Sequence, residues 1–121
     1  MIVDTGVIVA AFDSLDPDHA ASYNWLANQD NVVIPSACLP EIDYWLSKRG
    51  LRQAQLELIT NLEIDAWRAE PLPPWQTIKQ LMNNRPELGF VDTTVHLAAK
   101  TKGELATLDR RHFGADFKIV P

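Results

Sequence analysis

The sequence has few of the features that mark secreted or membrane proteins. It contains a single cysteine, Cys38, which excludes an internal disulfide and fits a reducing compartment. No apolar run approaches the ~20 residues of a membrane-spanning helix. The first apolar run has no basic start and is interrupted at Asp4, unlike a secretory signal. We therefore predict a cytoplasmic protein, in which Cys38 is a small buried hydrophobic residue.

Basic residues are also scarce. Eleven Lys and Arg stand against sixteen Asp and Glu, and the net charge of -5 argues against broad, non-specific adhesion to nucleic acid. A nuclease is still compatible with this charge, because acids that gather around a cation lower the net charge without describing the surface that a substrate meets. The length of 121 residues predicts one domain, residues 1–121, with a sizeable core.

The first twelve residues have a pattern typical of a strand, a tight turn and a helix. An apolar run ends at Asp4, a Thr-Gly pair follows, and apolar residues then resume up to Phe12. Asp4 is thus predicted at the C-terminal end of a strand, where α/β sheets form ligand sites. Taken alone, Asp4 is more simply explained as a turn former or a helix N-cap than as a site residue.

Strands and helices alternate along the rest of the chain. The predicted strands cover residues 1–3, 31–36, 64–70, 104–109 and 117–120. Predicted helices begin at the Asp16-Pro17 pair, just before Pro40, at Leu51, at Trp75 and near Asp92, whereas residues 110–114 are predicted as a loop. This alternation predicts an α/β fold with right-handed crossovers and a mostly parallel sheet.

Four acids are predicted to meet at one edge of that sheet. Asp4 and Asp109 follow strands, while Glu41 and Asp92 lie at helix starts. Each has a simpler alternative; Glu41, for example, would complement a helix dipole. Gathered together they would repel one another, and no Lys or Arg lies within four residues of Asp4, Glu41 or Asp92. A divalent cation would relieve this repulsion.

Mg²⁺ and Mn²⁺ prefer carboxylate oxygens, which suits a site of this kind. Such a site lowers the pKa of a bound water and neutralises a phosphodiester, so metal-assisted hydrolysis is the natural chemistry. His96 lies one helical turn after Asp92 and is the histidine that helical spacing would bring to the site.

Four segments together resemble one family, the PIN domain. They are Ile2-Val3-Asp4-Thr5, Leu39-Pro40-Glu41-Ile42, Gly89-Phe90-Val91-Asp92 and Thr107-Leu108-Asp109-Arg110-Arg111-His112-Phe113. More narrowly, they resemble the small VapC-like toxins of type II toxin-antitoxin pairs, in motif order and over nearly the whole chain. The resemblance implies a single PIN-like domain with a Rossmann-like three-layer sandwich around a mostly parallel sheet.

The resemblance also implies an Mg²⁺- or Mn²⁺-dependent endoribonuclease. Asp4 and Asp92 would be the principal metal ligands, Glu41 would position or deprotonate the attacking water, and Asp109 would complete the cage or hold a second ion. Thr5 and Thr107 would support these ligands through their hydroxyl groups. A homodimer is implied as well, held inactive by a cognate antitoxin whose C-terminal tail occupies the groove beside the acids.

Two basic clusters are predicted to contact RNA phosphates. Arg110, Arg111 and His112 follow Asp109, whereas Lys48, Arg49 and Arg52 lie at the end of the helix that carries Glu41. The alternative for both clusters is solvated surface or a favourable interaction with a helix C-terminus.

Other functions compatible with the sequence fit less well. A PIN-like interaction module with purely structural acids would not need all four carboxylates. An Mg²⁺-dependent phosphotransfer domain with Asp4 as a phosphorylated nucleophile is a further alternative. A dehalogenase-like phosphatase would need an acid where Gly6 stands, and a receiver domain would need a lysine after a late strand.

Overall fold

The computed structural model describes residues 1–121, which form seven helices and four named strands. The helices are α1 (Thr5–Phe12), α2 (His19–Ala27), α3 (Cys38–Lys48), α4 (Arg52–Glu63), α5 (Trp75–Asn84), α6 (Phe90–Ala99) and α7 (Arg110–Phe113). The strands are β1 (Val32–Pro35), β2 (Trp67–Glu70), β3 (Glu104–Ala106) and β4 (Lys118–Val120). No helix of the chain combines the length and apolar character that a membrane span requires.

A short extended segment, Ile2 and Val3, joins the strands into one parallel sheet. On one side the Val3 amide donates to the Val33 carbonyl at 2.9 Å, and on the other the Asp4 amide donates to the Ala106 carbonyl at 2.8 Å. β1 pairs in parallel with β2, and β3 pairs in parallel with β4. The spatial order is therefore β2, β1, residues 2–3, β3, β4, which confirms the predicted α/β fold with a parallel sheet.

The core lies between this sheet and the helices on its two faces. All four residues of β1 are buried, as expected for a continuous apolar strand that is covered on both sides. Val7 and Ile8 of α1 pack into the same cluster as Ile42 and Leu46 of α3. The resulting three layers hold the C-terminal ends of the central strands, and the N-termini of α1 and α3, in fixed positions.

Most predicted elements lie within a few residues of the observed ones, and the bounds of α5 match. α2 begins at His19, two residues later than the Asp16-Pro17 pair predicts. β2 begins only at Trp67, and residues 64–66 form a turn instead. The predicted loop after Asp109 is wrong, because residues 110–113 form the short helix α7, whose His112 amide donates to the Asp109 carboxylate.

Candidate active site

The four predicted acids line one cavity of about 530 Å³ at the C-terminal edge of the sheet. Asp4 reaches it directly after the central extended segment, and Glu41 and Asp92 reach it from the first turns of α3 and α6. The strand predicted over residues 104–109 ends at Ala106, so that Asp109 reaches the cavity as the N-cap of α7. The remaining lining is mostly polar and consists of Thr5, Gly6, Val9, Asp16, Trp45, Arg49, Thr107, Leu108 and Arg111. The parallel sheet therefore brings together the residues that sequence order places far apart.

Asp4 is both a helix cap and a member of the acidic cluster. Its Oδ1 accepts a hydrogen bond from the Thr5 amide at 2.8 Å, and its Oδ2 accepts one from Thr107 Oγ1 at 2.7 Å. Burial, followed by the negative charges of Asp92 and Glu41, raises the pKa of Asp4 to about 6, although both hydrogen bonds oppose the rise. A carboxylate in this position is stabilised by any cation that enters the cavity.

Glu41 is held by the first residue of α1. The Thr5 hydroxyl donates to Glu41 Oε1 at 2.5 Å, which joins the N-termini of α1 and α3. This bond occupies one carboxylate oxygen and leaves Oε2 without a protein partner among the hydrogen bonds of the chain. Glu41 is thus fixed in orientation and keeps one acceptor oxygen available.

Asp92, Asp109 and His112 form a compact group of metal-binding side chains. One ligand atom from each residue lies within 4.8 Å of the others. His112 Nδ1 is 2.7 Å from Asp109 Oδ2 and 3.5 Å from Asp92 Oδ2. The group contains two carboxylates and one imidazole, which are donor types that bind divalent metals.

The two aspartates of this group have opposite pKa shifts. Burial, together with the charge of Asp109, raises the pKa of Asp92, with a partial offset from His112. Burial also pushes the pKa of Asp109 upward, but the hydrogen bonds from His112 and the charge of Arg111 outweigh it, so that its pKa is lowered. Asp109 is therefore the more readily ionised of the two.

The residues of the cavity fit a divalent cation. Without a cation, the protein disfavours the ionised forms of Asp4 and Asp92. Both side chains line a polar cavity that also contains the carboxylates of Glu41 and Asp109. Each hydrogen-bonded oxygen of Asp4 keeps a second lone pair for a metal. The donor set is dominated by hard oxygen atoms, as Mg²⁺ and Mn²⁺ require.

The structure places His96, the histidine that helical spacing offered as a candidate, outside this site. His96 Nε2 lies 3.7 Å from Asp116 Oδ2, and its ring packs edge-on against Phe117, with centroids 4.9 Å apart. His112 takes the position beside the acids instead. The signal for it was its spacing three residues after Asp109, which brings the two side chains together only once α7 forms.

Two of the predicted RNA contacts line the cavity. Arg111 lies at its edge, whereas Arg49 lines it while also binding Asp13 at 2.9 Å and Asp16 at 2.7 Å. The other predicted basic contacts are outside the lining, namely Lys48, Arg52, Arg110 and His112. Arg49 therefore ties the loop before α2 to the C-terminus of α3.

Cys38 is fully buried, in agreement with the expectation of a small core residue. Its Sγ lies 3.9 Å from Asp4 Oδ1. Burial, followed by the charge of Asp4, raises the pKa of the thiol to about 12. Cys38 consequently remains protonated and lies in the core beside Asp4.

Comparisons with known proteins agree with this architecture. A sequence model of the PIN domain matches residues 1–118. Ribonuclease VapC26 of Mycobacterium tuberculosis is 32% identical to the chain over an alignment of 137 residues that covers the whole of both proteins. The crystal structure of Mycobacterium tuberculosis VapC20, a sarcin-ricin loop cleaving toxin, superposes with a TM-score of 0.81 and 22% identity, covering 99% of this chain and 98% of that one.

Proposed function

Because the chain belongs to the PIN domain family, we propose that it is an Mg²⁺- or Mn²⁺-dependent endoribonuclease and the toxin of a type II toxin-antitoxin pair. The observation that carries the proposal is the single cavity lined by Asp4, Glu41, Asp92 and Asp109. Similarity over the full length of a curated ribonuclease supports it. The substrate would be RNA in the cytoplasm, where a toxin of this kind acts.

Asp4 and Asp92 would be the principal ligands of the cation, and Asp109 would complete the cage. A divalent ion bound there would make a water more acidic and would neutralise charge on the phosphodiester. The hydroxyl of Thr107 supports two of these ligands, because it donates to Asp4 and accepts from the Asp109 amide at 3.0 Å. Such hydrogen bonds fix the carboxylates in the orientation that metal binding needs.

Glu41 would act as the base. The Thr5 hydroxyl fixes Oε1, so that Oε2 is the oxygen that accepts a proton from the attacking water. The water oxygen would then bond to phosphorus while the phosphorus–oxygen bond to the leaving nucleotide breaks, and the leaving oxygen would take up a proton from solvent. Arg111, at the edge of the cavity, would bind a non-bridging phosphate oxygen.

Two protein partners belong to the proposal. We expect a homodimer, and a cognate antitoxin whose C-terminal tail enters the groove beside the acids. Positively charged side chains on such a tail would complement the acidic cavity. Co-expression with the product of a neighbouring small gene, followed by analytical ultracentrifugation, measures both associations.

Cleavage of a total-RNA preparation tests the activity directly. The purified chain, free of any antitoxin, is incubated with Mg²⁺, with Mn²⁺ and with chelator, beside Asp92→Asn and the exposed control Asp43→Asn. Discrete fragments that require both metal and Asp92, and that persist in the control, are expected. Intact RNA in every reaction with folded protein would contradict the proposal and favour a non-catalytic interaction module.

A further inference from the structure

We infer that His112 is itself a ligand of the divalent cation, through Nδ1, and that it biases the site towards Mn²⁺ over Mg²⁺. The inference rests on the proposed function, since it concerns the metal that this function requires. His112 would add a nitrogen donor to a site for which the sequence predicted four carboxylates.

The spacing of the donor atoms carries this inference. Neighbouring ligands of one octahedral ion, each about 2.1 Å from the metal, lie about 3 Å from one another. His112 Nδ1 lies 2.7 Å from Asp109 Oδ2 and 3.5 Å from Asp92 Oδ2, and the three residues place ligand atoms within 4.8 Å of one another. The distances from Nδ1 to the two carboxylates are therefore close to those expected for ligands that share one ion.

The residues on either side of His112 in the sequence hold α7 in place. Phe113, the next residue, is fully buried in the core, and the Asp109 carboxylate accepts from the His112 amide at 3.2 Å. The ring is itself only partly exposed. An imidazole anchored in this way loses little conformational freedom when it binds an ion.

One proton distinguishes the two states of the ring. Nδ1 donates to Asp109 only when it carries a hydrogen, and it ligates a metal only when that hydrogen is absent. Metal binding therefore places the proton of neutral His112 on Nε2, without any movement of the backbone. The ion replaces the hydrogen bond as the connection between His112 and Asp109.

A nitrogen ligand changes the preference among ions. Mg²⁺ is held in proteins by carboxylates, phosphates and retained waters, whereas first-row transition ions also accept imidazole. Loss of His112 should therefore weaken binding of Mn²⁺ more than binding of Mg²⁺. A histidine that only oriented Asp109 would change the affinity for both ions to the same extent.

Pulsed electron paramagnetic resonance of bound Mn²⁺ tests the inference on the full chain. His112→Gln is compared with His96→Gln, which removes another histidine beside an aspartate, Asp116, that is not one of the four acids of the cavity. The parent and His96→Gln should show the hyperfine coupling of a directly bonded nitrogen, and His112→Gln should not. Titration should show Mn²⁺ affinity reduced about tenfold or more in His112→Gln, with a smaller loss for Mg²⁺.

Isotopic substitution of nitrogen in histidine gives a second readout that needs no variant. It should alter the coupling in the parent chain, whether or not His112→Gln folds. Bound Mn²⁺ without nitrogen coupling, or equal losses for the two ions, would overturn the inference and leave the proposed function intact. A folded parent chain that binds neither ion would contradict the proposed function as well.

Discussion

Asp4 shows how one residue serves the fold and the site at the same time. As the cap of α1 it accepts the Thr5 amide, and as a cavity acid it faces Asp92 and Glu41. The sequence left these two roles as alternatives, and the structure shows that the same carboxylate has the position for both. The raised pKa of about 6 shows that, in the absence of a cation, the surroundings of Asp4 disfavour its ionised form.

Replacement of Asp4 by Asn should stabilise the metal-free chain at neutral pH. The pKa of Asp4 rises from 3.8 to about 6 on folding, so the folded chain holds an extra proton between these values and loses stability as pH rises through them. The rise corresponds to roughly 3 kcal/mol at most. In urea unfolding with chelator, Asp4→Asn should match the parent near pH 4 and exceed it above pH 6.

Cleavage by the same Asp4→Asn variant should be lost, since an amide is a poor ligand in place of a carboxylate. An exposed substitution, Asp43→Asn, is the control, and it should not reproduce the pH-dependent gain in stability. If Asp4→Asn and the parent lost stability in parallel between pH 4 and pH 7, the buried carboxylate would not be the source of the effect.

Removal of the Thr107 hydroxyl should disturb two acids at once. Thr107 is 2% exposed, donates to Asp4 Oδ2 and accepts from the Asp109 amide. Thr107→Val keeps the volume but leaves both partners unpaired, at a cost of about 1–3 kcal/mol in unfolding free energy. The pKa of Asp4 should rise further, because the hydrogen bond that lowers it is lost.

Thr107→Ser separates the hydroxyl from the methyl group. It should recover most of the stability and most of the cleavage rate, and the acidic limb of the cleavage pH profile should return to that of the parent. Equal defects in the Val and Ser variants would show that packing of the methyl group, and not the hydrogen bonds, is what the site needs.

At the level of elements, α7 is the segment that completes the site. It has only four residues, yet it carries Arg111 and His112 and begins directly after Asp109. Gly114 closes it, where a Cβ atom would lie 2.6 Å from the Arg110 carbonyl oxygen. The position and integrity of α7 therefore depend on the absence of a side chain at residue 114.

Alanine should have opposite effects at two glycines. Gly114→Ala forces the Arg110 carbonyl to move and should cost about 1–3 kcal/mol in unfolding free energy. Gly6→Ala places its Cβ 3.7 Å from Leu108, an ordinary contact, within α1, and should stabilise the chain by up to about 1 kcal/mol. Urea denaturation measures both, and destabilisation of similar size at the two positions would contradict this account.

The same elements show how far sequence reasoning reaches. Apolar spacing predicted α5 and a continuous apolar run predicted the strand at β1, because both patterns are local in the sequence. It missed α7, since a four-residue helix has no periodicity and is held by the Asp109 cap and the buried Phe113. It also placed α2 too early, because Asp16 binds Arg49, a contact between distant residues that spacing does not encode.

The site was predictable to a similar degree. Strand ends and helix starts identified the four acids that line the cavity, because a parallel sheet brings such positions together. Helical spacing from Asp92 offered only His96 as a candidate histidine, whereas packing of α6 turns His96 towards Phe117 and His112 lies beside the acids. Only the tertiary structure distinguishes between two histidines that are each close in sequence to an acid.

For the molecule as a whole, the excess of acids makes stability dependent on the cation. The net charge is -5, and several of the acids responsible converge on one cavity instead of being spread over the surface. Repulsion within that cavity opposes folding at neutral pH. A divalent ion that binds only the folded chain should shift the equilibrium in the opposite direction.

Mn²⁺ should therefore raise the melting temperature by an amount that grows with pH. At a hundredfold excess over the dissociation constant, binding contributes about 2.7 kcal/mol, or on the order of 10 °C for a chain of this size. The shift should be small near pH 4, where the raised pKa of about 6 keeps Asp4 protonated, and largest above pH 6. Differential scanning fluorimetry with Mn²⁺, Mg²⁺ and chelator measures it, with Asp92→Asn as the variant that should not respond. A melting-temperature shift of the same size at pH 4 and pH 7, or one that persists in Asp92→Asn, would contradict this prediction. The ion would then bind elsewhere on the chain, and the acidic cavity would not explain why stability depends on the cation.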